Sequence, residues 1–113
     1  MKMLVCGGRD YFDAERIFLI LDILGPKLLI HGAAKGADSM ALNWAVVRGV
    51  PHKGFPANWQ LYGDGAGAKR NRQMLIEGKP DLVVAFPGRT GTWNMIAQAE
   101  QMGVPVLDLG DRT

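Results

Sequence analysis

The segment PGRTGT, residues 87–92, combines residue types that bind phosphate groups. It follows the apolar run DLVVAF (81–86) and precedes an amphipathic stretch, so we predict that it joins a strand to a helix. The first amides of a helix lack partners within the helix, and the helix dipole attracts an anion to them. Thr90 and Thr92 add hydroxyl donors, and Arg89 adds a positive charge. This loop is therefore predicted to bind an anion; the alternative is that Thr92 only caps the helix.

Two further glycine-rich segments, GGRD (7–10) and GAAKGAD (32–38), also follow apolar runs. Gly32 permits a tight turn, and Gly36 lets a ligand or a neighbouring strand approach the backbone closely. A simpler interpretation fits both segments: Asp38 caps or braces the next helix, and GGRD pairs its own arginine and aspartate. Glycines in such turns are by themselves only a weak indication of phosphate binding.

The basic segment KRNR (69–72) is predicted to open a helix that ends near Glu77. Basic side chains are unfavourable at a helix N-terminus, where the dipole favours acidic ones. A bound anion removes that cost, so the segment indicates an anion site. The alternative is an ordinary solvated basic turn.

The aromatic residues allow two interpretations. Trp44 lies at helical spacing from Met40 and is predicted to be in the core, and Trp93 is predicted to pack beneath its helix. Trp59 and Tyr62 fall in the polar, glycine-rich segment 56–68, which is predicted to be a long loop. There they either stack on a base or anchor the loop.

Metal and covalent chemistry are not expected. His31 and His52 are isolated and have no partners at the spacing of a metal site or a nucleophilic triad. Cys6 is the single cysteine, so an internal disulfide is excluded, and a reducing compartment is expected. We predict no metal and no cofactor.

Short apolar runs alternate with amphipathic segments along the chain. The predicted strands are residues 3–6, 27–31, 51–55, 81–86 and 104–109, and the predicted helices cover about 13–24, 36–48, 69–77 and 92–102. This alternation predicts an α/β fold with a parallel sheet covered on both faces. Gly-Val-Pro precedes the third and fifth strands, and proline favours sheet edges. The predicted fold is a Rossmann-like, doubly wound sheet in the order 3-2-1-4-5, with the glycine-rich loops on one rim.

Length and composition set further limits. A chain of 113 residues with 48% hydrophobic and 21% charged residues indicates one soluble domain, residues 1–113. The net charge of +2 is too small to imply a nucleic-acid coat. No apolar stretch approaches the roughly 18 residues of a membrane span, and Met1-Lys2 leads directly into the first strand. We therefore expect a cytoplasmic protein without a membrane partner.

The chain resembles the YspA-like (cpYpsA-related) branch of the SLOG superfamily, found in bacteria and phages. The resemblance covers about Leu4 to Val106 and rests on these segments in order: GGRD, HGAAKGAD, FPANW, AGAKRNRQM and AFPGRTGT. It implies a Rossmann-like nucleotide-binding domain that forms a homodimer, as relatives commonly do. The superfamily includes the Lonely Guy phosphoribohydrolases, which release a base from a nucleoside monophosphate, and DprA, which binds single-stranded DNA.

The resemblance also raises doubt about catalysis. The Lonely Guy pattern Pro-Gly-Gly-x-Gly-Thr-x-x-Glu is similar to residues 87–95, with Arg89 at the second glycine and Met95 at the catalytic glutamate. A thioether neither stabilises positive charge on a sugar nor activates water. Glu77 and Glu100 do not lie at the expected spacing. The carboxylates that remain available are Asp10, Asp38 and Asp64.

We therefore predict a module that binds or senses a nucleotide-like small molecule, with no catalytic residue assigned. One alternative is an N-glycosidic-bond hydrolase with a relocated carboxylate. The other is DprA-like binding of single-stranded DNA, suggested by RNR (70–72) but disfavoured by the low net charge and the lack of regularly spaced aromatics. The predicted ligand-binding residues are Gly7, Gly8, Arg9, Gly32, Gly36, Asp38, Arg70, Asn71, Arg72, Gly88, Arg89, Thr90, Gly91 and Thr92.

Overall fold

Strands and helices follow one another along residues 1–110, the part of the chain that the computed structural model describes. The strands are β1 (Lys2–Cys6), β2 (Leu28–His31), β3 (His52–Gly54), β4 (Leu82–Ala85) and β5 (Val106–Asp108). The helices are α1 (Ala14–Leu24), α2 (Ala37–Arg48), α3 (Trp59–Tyr62), α4 (Ala66–Gly78) and α5 (Thr90–Gln101), and a 3-10 turn covers Gly63–Gly65. Within this range every helix is too short or too polar to cross a membrane.

The five strands form a parallel sheet in the order β3-β2-β1-β4-β5, which confirms the predicted topology. The two prolines precede the edge strands, as predicted. Pro51 cannot donate to the sheet, but its carbonyl accepts from the Leu29 amide at 2.9 Å. Pro105 accepts from the Val83 amide at the same distance. Proline therefore starts each edge strand without leaving a buried donor unpaired.

Successive residues of β1 face opposite layers of helices. Met3 and Val5 pack in a core cluster with residues of α1 and α2, including Trp44. Leu4 and Cys6 pack in a second cluster with residues of α4 and α5. Because both faces of this strand are covered, nearly all of its residues must be apolar. The predicted core position of Trp44 is confirmed.

The prediction of a long loop at residues 56–68 is wrong, because most of this segment is helical. The Asn58 side chain accepts from the Leu61 amide at 3.0 Å and caps the single turn of α3. Helix α4 begins at Ala66, before the KRNR segment (69–72), and places that segment beyond its first three residues. The argument from basic residues at a helix N-terminus is therefore wrong as well. Glycines close to Ala66 masked the start of this helix.

The start of the last helix also differs from the prediction. Helix α5 begins at Thr90 rather than Thr92. Arg89 is at the N-cap position, and its side chain forms no capping hydrogen bond with the first turn. The suggestion that Thr92 caps this helix is therefore wrong. Trp93 is 46% exposed and does not pack beneath the helix as predicted.

Candidate functional site

A cleft of about 810 Å³ opens at the carboxyl ends of β1 and β4, where the winding of the sheet reverses. The loops after β1, β2 and β4 contribute to its wall, together with α3 and the start of α4. The predicted ligand-binding residues that line it are Gly7, Gly8, Arg9, Asp38, Arg70, Asn71, Gly88, Arg89, Thr90, Gly91 and Thr92. The structure thus brings most of the predicted residues to one place.

Three predicted residues do not line the cleft. Arg72 is exposed elsewhere on α4. Gly32 and Gly36 are buried behind the cleft wall, in the turn between β2 and α2. Their contribution is to the shape of this turn rather than to the surface of the cleft.

Gly36 is required for contact between loops. Its φ of +77° is a left-handed conformation, and a Cβ atom here would collide with the Gly8 carbonyl and the Arg9 backbone. The adjacent Ala37 amide donates to the same Gly8 carbonyl at 3.1 Å, and the Gly8 amide donates to the Pro87 carbonyl at 2.8 Å. The three loops are therefore hydrogen-bonded into one frame, and the close approach predicted for Gly36 is that of a neighbouring loop.

The N-terminus of α5 offers backbone donors at the cleft. The first bond of this helix runs from the Trp93 amide to the Arg89 carbonyl at 2.8 Å, so the amides of Thr90, Gly91 and Thr92 have no acceptor within the helix. Thr92 is only 6% exposed. At Gly91 a Cβ atom would meet nothing within 4 Å, so the side of the first turn at Gly91 is open. This arrangement can accept an anion.

Asp38 is a buried carboxylate in the cleft wall. It is 5% exposed, and its Oδ2 atom accepts from the amides of Gly32 at 2.8 Å and Ala34 at 3.4 Å. It thus braces the turn after β2. Burial raises its pKa to about 6, although Arg70, the two amides and Arg9 act in the opposite direction. Among residues 1–110 no group donates to its Oδ1 atom.

Arg70 lies beside this carboxylate. Its guanidinium donates to the Gly32 carbonyl through Nη1 and to Asn71 Oδ1 through Nε at 3.1 Å. Burial lowers the pKa of Arg70 from its ordinary value, and nearby Asp38 acts against that shift. The side chain remains a fixed positive charge at the cleft.

Arg9 is a second cation in the cleft wall. Its guanidinium lies 5.3 Å from the centre of the Trp59 ring, and no ion pair joins it to Asp10 within the described range. The local ion pair considered for GGRD is therefore absent from residues 1–110. Arg9 and Arg70 therefore both contribute guanidinium groups to the cleft wall near Asp38.

Amide side chains connect the two helices on one side of the cleft. Asn71 is buried, and its Nδ2 atom donates to the Gly91 carbonyl at 3.2 Å and to Asn94 Oδ1 at 3.1 Å. Gln98 donates to the same Asn94 oxygen at 2.8 Å. No pattern in the sequence indicates a role for Asn94, because asparagine in an amphipathic helix is normally a surface residue.

The candidate carboxylates and Met95 differ in their access to the cleft. Asp10, Asp38 and Asp64 all line it, and only Asp38 is buried. Met95 is 0% exposed and packs in the core cluster with Leu4. No group of three or more His, Cys, Asp or Glu side chains within residues 1–110 is arranged to hold a metal ion.

Comparisons with known proteins agree with this architecture. The family model described as "YspA, cpYpsA-related SLOG family" matches residues 1–62. The Gene 61 protein of Mycobacterium phage D29 is 33% identical, over 98% of this chain and 98% of its own length.

Two solved structures share the fold at low sequence identity. DNA processing protein A (DprA) from Streptococcus pneumoniae matches with a TM-score of 0.75 and 18% identity, over 95% of this chain and 49% of that one. This chain therefore spans about half the length of that DprA chain. The C-terminal domain of a hydrogenase from Pyrococcus furiosus matches with a TM-score of 0.57 and 16% identity, over 95% of this chain and 89% of that one.

Proposed function

The chain belongs to the YspA, cpYpsA-related SLOG family, and from this premise we propose that residues 1–113 form one domain whose cleft binds a nucleotide-like ligand. The ligand contains a phosphoribosyl group, and its phosphate lies at the N-terminus of α5. The domain acts as a binding or sensing module in the cytoplasm. It needs no metal or cofactor for this role.

The observation that carries the proposal is the open N-terminus of α5 in a cleft lined by three arginines, Arg9, Arg70 and Arg89. The amides of Thr90, Gly91 and Thr92 lack acceptors within the helix, and Arg89 supplies no side-chain cap. A phosphate would accept hydrogen bonds from these amides and interact favourably with the helix dipole. Arg70 adds a cation that is already partly desolvated and therefore interacts strongly with a dianion.

Binding without turnover is the expected outcome of this geometry. Phosphate contacts stabilise the bound substrate and the transition state almost equally, so they increase affinity without increasing the rate. The position where the resemblance places a glutamate holds Met95, whose side chain is in the core.

Thermal unfolding in the presence of AMP, adenosine and ribose 5-phosphate tests the proposal. A ligand that binds the native state raises the Tm in a concentration-dependent way. We expect AMP and ribose 5-phosphate to raise the Tm and adenosine to have little effect. No shift with either phosphate compound at millimolar concentration would contradict the proposal.

Salt dependence then separates a small ligand from single-stranded DNA. An oligonucleotide that contacts several phosphates loses affinity steeply as salt increases, and a single nucleotide loses much less. We expect a weak salt dependence for AMP and no tighter binding of a dT oligonucleotide.

Hydrolysis of a nucleotide N-glycosidic bond is a second candidate, favoured by the position of Asp38. One of its carboxylate oxygens is held by turn amides, and the other accepts no hydrogen bond from residues 1–110. With a pKa near 6, this group exchanges a proton near neutral pH. Chromatography of AMP incubated with the protein would reveal released adenine. Release by the parent protein that is lost in Asp38→Asn would establish this activity, and no release leaves binding as the function.

A further inference from the structure

Trp59 is an aromatic residue held in the wall of the cleft. It starts α3, where the Asn58 cap and a bond from the Gly63 amide to the Trp59 carbonyl fix the backbone. The Arg9 guanidinium lies over the indole ring at 5.3 Å, yet the residue remains 47% exposed. Almost half of the surface of this residue is therefore open to a ligand in the cleft, although Arg9 covers part of the ring.

Tyr62 differs from Trp59 although it is equally exposed. Its ring lies beneath the Lys69 ammonium at 4.9 Å, and it is absent from the cleft wall. Of the two aromatics in this segment, only Trp59 therefore has access to a ligand in the cleft. Of the two interpretations that the sequence left open, base stacking in this cleft is thus accessible to Trp59 and not to Tyr62.

The size of the cleft favours a ligand larger than a phosphosugar. Its volume of about 810 Å³ lies within the range of sites that enclose drug-sized molecules. A phosphate at the α5 N-terminus uses only one part of it. Trp59 and Arg9 line the same cleft and are not part of the phosphate site, so they are available to bind the rest of the ligand.

We propose that Trp59 stacks against the aromatic base of the ligand and is the residue that makes this site prefer nucleotides to phosphosugars without a base. The inference rests on the proposed phosphate site. Stacking uses the π-face that every base has, so it gives affinity for a base without selecting one base strongly. Arg9 supports the same contact, because a cation over the indole fixes the ring in place.

The test compares the affinity for AMP with that for ribose 5-phosphate by calorimetric titration. The variants are Trp59→Leu, which removes the aromatic face, and Trp59→Phe, which keeps a smaller one. Trp93→Leu is the matched control, because Trp93 is equally exposed but absent from the wall of this cleft. Thermal unfolding of each variant without ligand verifies that it is folded.

The expected result is that the parent binds AMP more tightly than ribose 5-phosphate, and that Trp59→Leu reduces this ratio about 5- to 100-fold. Trp59→Phe should retain part of the preference, and Trp93→Leu should retain all of it. Equal affinity of the parent for both compounds would overturn the stacking inference and leave the phosphate site intact. Failure of both to bind would overturn the two proposals together. A dT oligonucleotide that binds far more tightly than AMP would also overturn the assignment to a single base.

Discussion

Arg70 and Asp38 both form hydrogen bonds with the backbone of Gly32, one at its carbonyl and the other at its amide. The Arg70 guanidinium donates to the Gly32 carbonyl, and Asp38 Oδ2 accepts from the Gly32 amide at 2.8 Å. A Cβ atom on Gly32 would collide with the guanidinium. The cation that we assign to ligand binding is therefore also part of the turn after β2, and substitutions at either charge affect folding as well as binding.

Arg70→Ala should lower both the ligand affinity and the free energy of unfolding. Loss of a charge-assisted bond to phosphate weakens binding by about 1.5–3 kcal/mol, and loss of the bond to Gly32 destabilises the fold by about 1–3 kcal/mol. Urea unfolding and calorimetric titration with AMP measure the two effects. Arg72→Ala is the control, since Arg72 is exposed outside the cleft and should change neither quantity by more than about 0.5 kcal/mol. Equal effects of the two variants would contradict the assignment.

Asp38→Asn should change how stability depends on pH. Burial raises the pKa of Asp38 from 3.8 to about 6, so the folded chain binds this proton more tightly than the unfolded chain does. The contribution of Asp38 to the free energy of unfolding therefore falls as pH rises from about 4 to about 6 and stays low above that range. Relative to the parent, Asp38→Asn should gain stability over this interval, by at most about 3 kcal/mol.

This measurement must be a difference between the two proteins, because the lowered pKa of His31 also makes stability depend on pH. Burial, His52 and Arg70 lower the pKa of His31, so its contribution to stability falls as pH decreases below about 6.5. The two groups thus act in opposite directions. Urea unfolding of parent and variant from pH 4.5 to 7.5 isolates Asp38. A constant difference across this range would show that its pKa is not raised.

Gly91→Ala should stabilise the fold and weaken phosphate binding. Gly91 lies in the first turn of α5 with open space beside it, so alanine lowers the entropy of the unfolded chain without a clash. The expected gain is about 0.5–1 kcal/mol. The added methyl group lies next to the amides at which we place the phosphate and crowds a bound phosphate. Gly65→Ala is the control, because Gly65 also has open space beside it but does not line the cleft. If Gly91→Ala binds ribose 5-phosphate with unchanged affinity, the phosphate does not bind at the N-terminus of α5.

Met95→Glu should destabilise the protein rather than create a hydrolase. Met95 is completely buried among apolar residues, where a carboxylate loses its hydration without gaining a partner. We expect a loss of more than about 3 kcal/mol, whereas Met95→Leu should cost less than about 1.5 kcal/mol. Urea unfolding measures both. A stable Met95→Glu variant that releases adenine from AMP would show that this position can supply a catalytic carboxylate.

The topology of the sheet was predictable because it follows from the positions of apolar runs and prolines, which can be read from the sequence. Apolar runs mark strands that are buried on both faces, and Pro51 and Pro105 mark the edges. The short helix α3 was not predictable in the same way. Four residues are too few to show helical periodicity, and the cap from Asn58 is found in many turns without a helix.

The cleft was predictable in part. The strand order brings the three glycine-rich loops to one rim, and residues of these loops such as Arg89 and Thr92 therefore line the cleft. Whether a glycine serves a ligand or a packing contact depends on distances between loops, which the sequence does not contain. Gly36 and Gly91 show the two outcomes, since one touches a neighbouring loop and the other faces open space.

The frame of hydrogen-bonded loops has a consequence for how such domains diversify. The bonds that join the loops run between backbone groups, from Gly8 to Pro87 and from Ala37 to Gly8. Side chains on the cleft surface, such as Trp59 and Thr90, do not take part in them. Substitutions of the surface residues can therefore change which ligand the cleft prefers without disturbing the hydrogen bonds that join the loops.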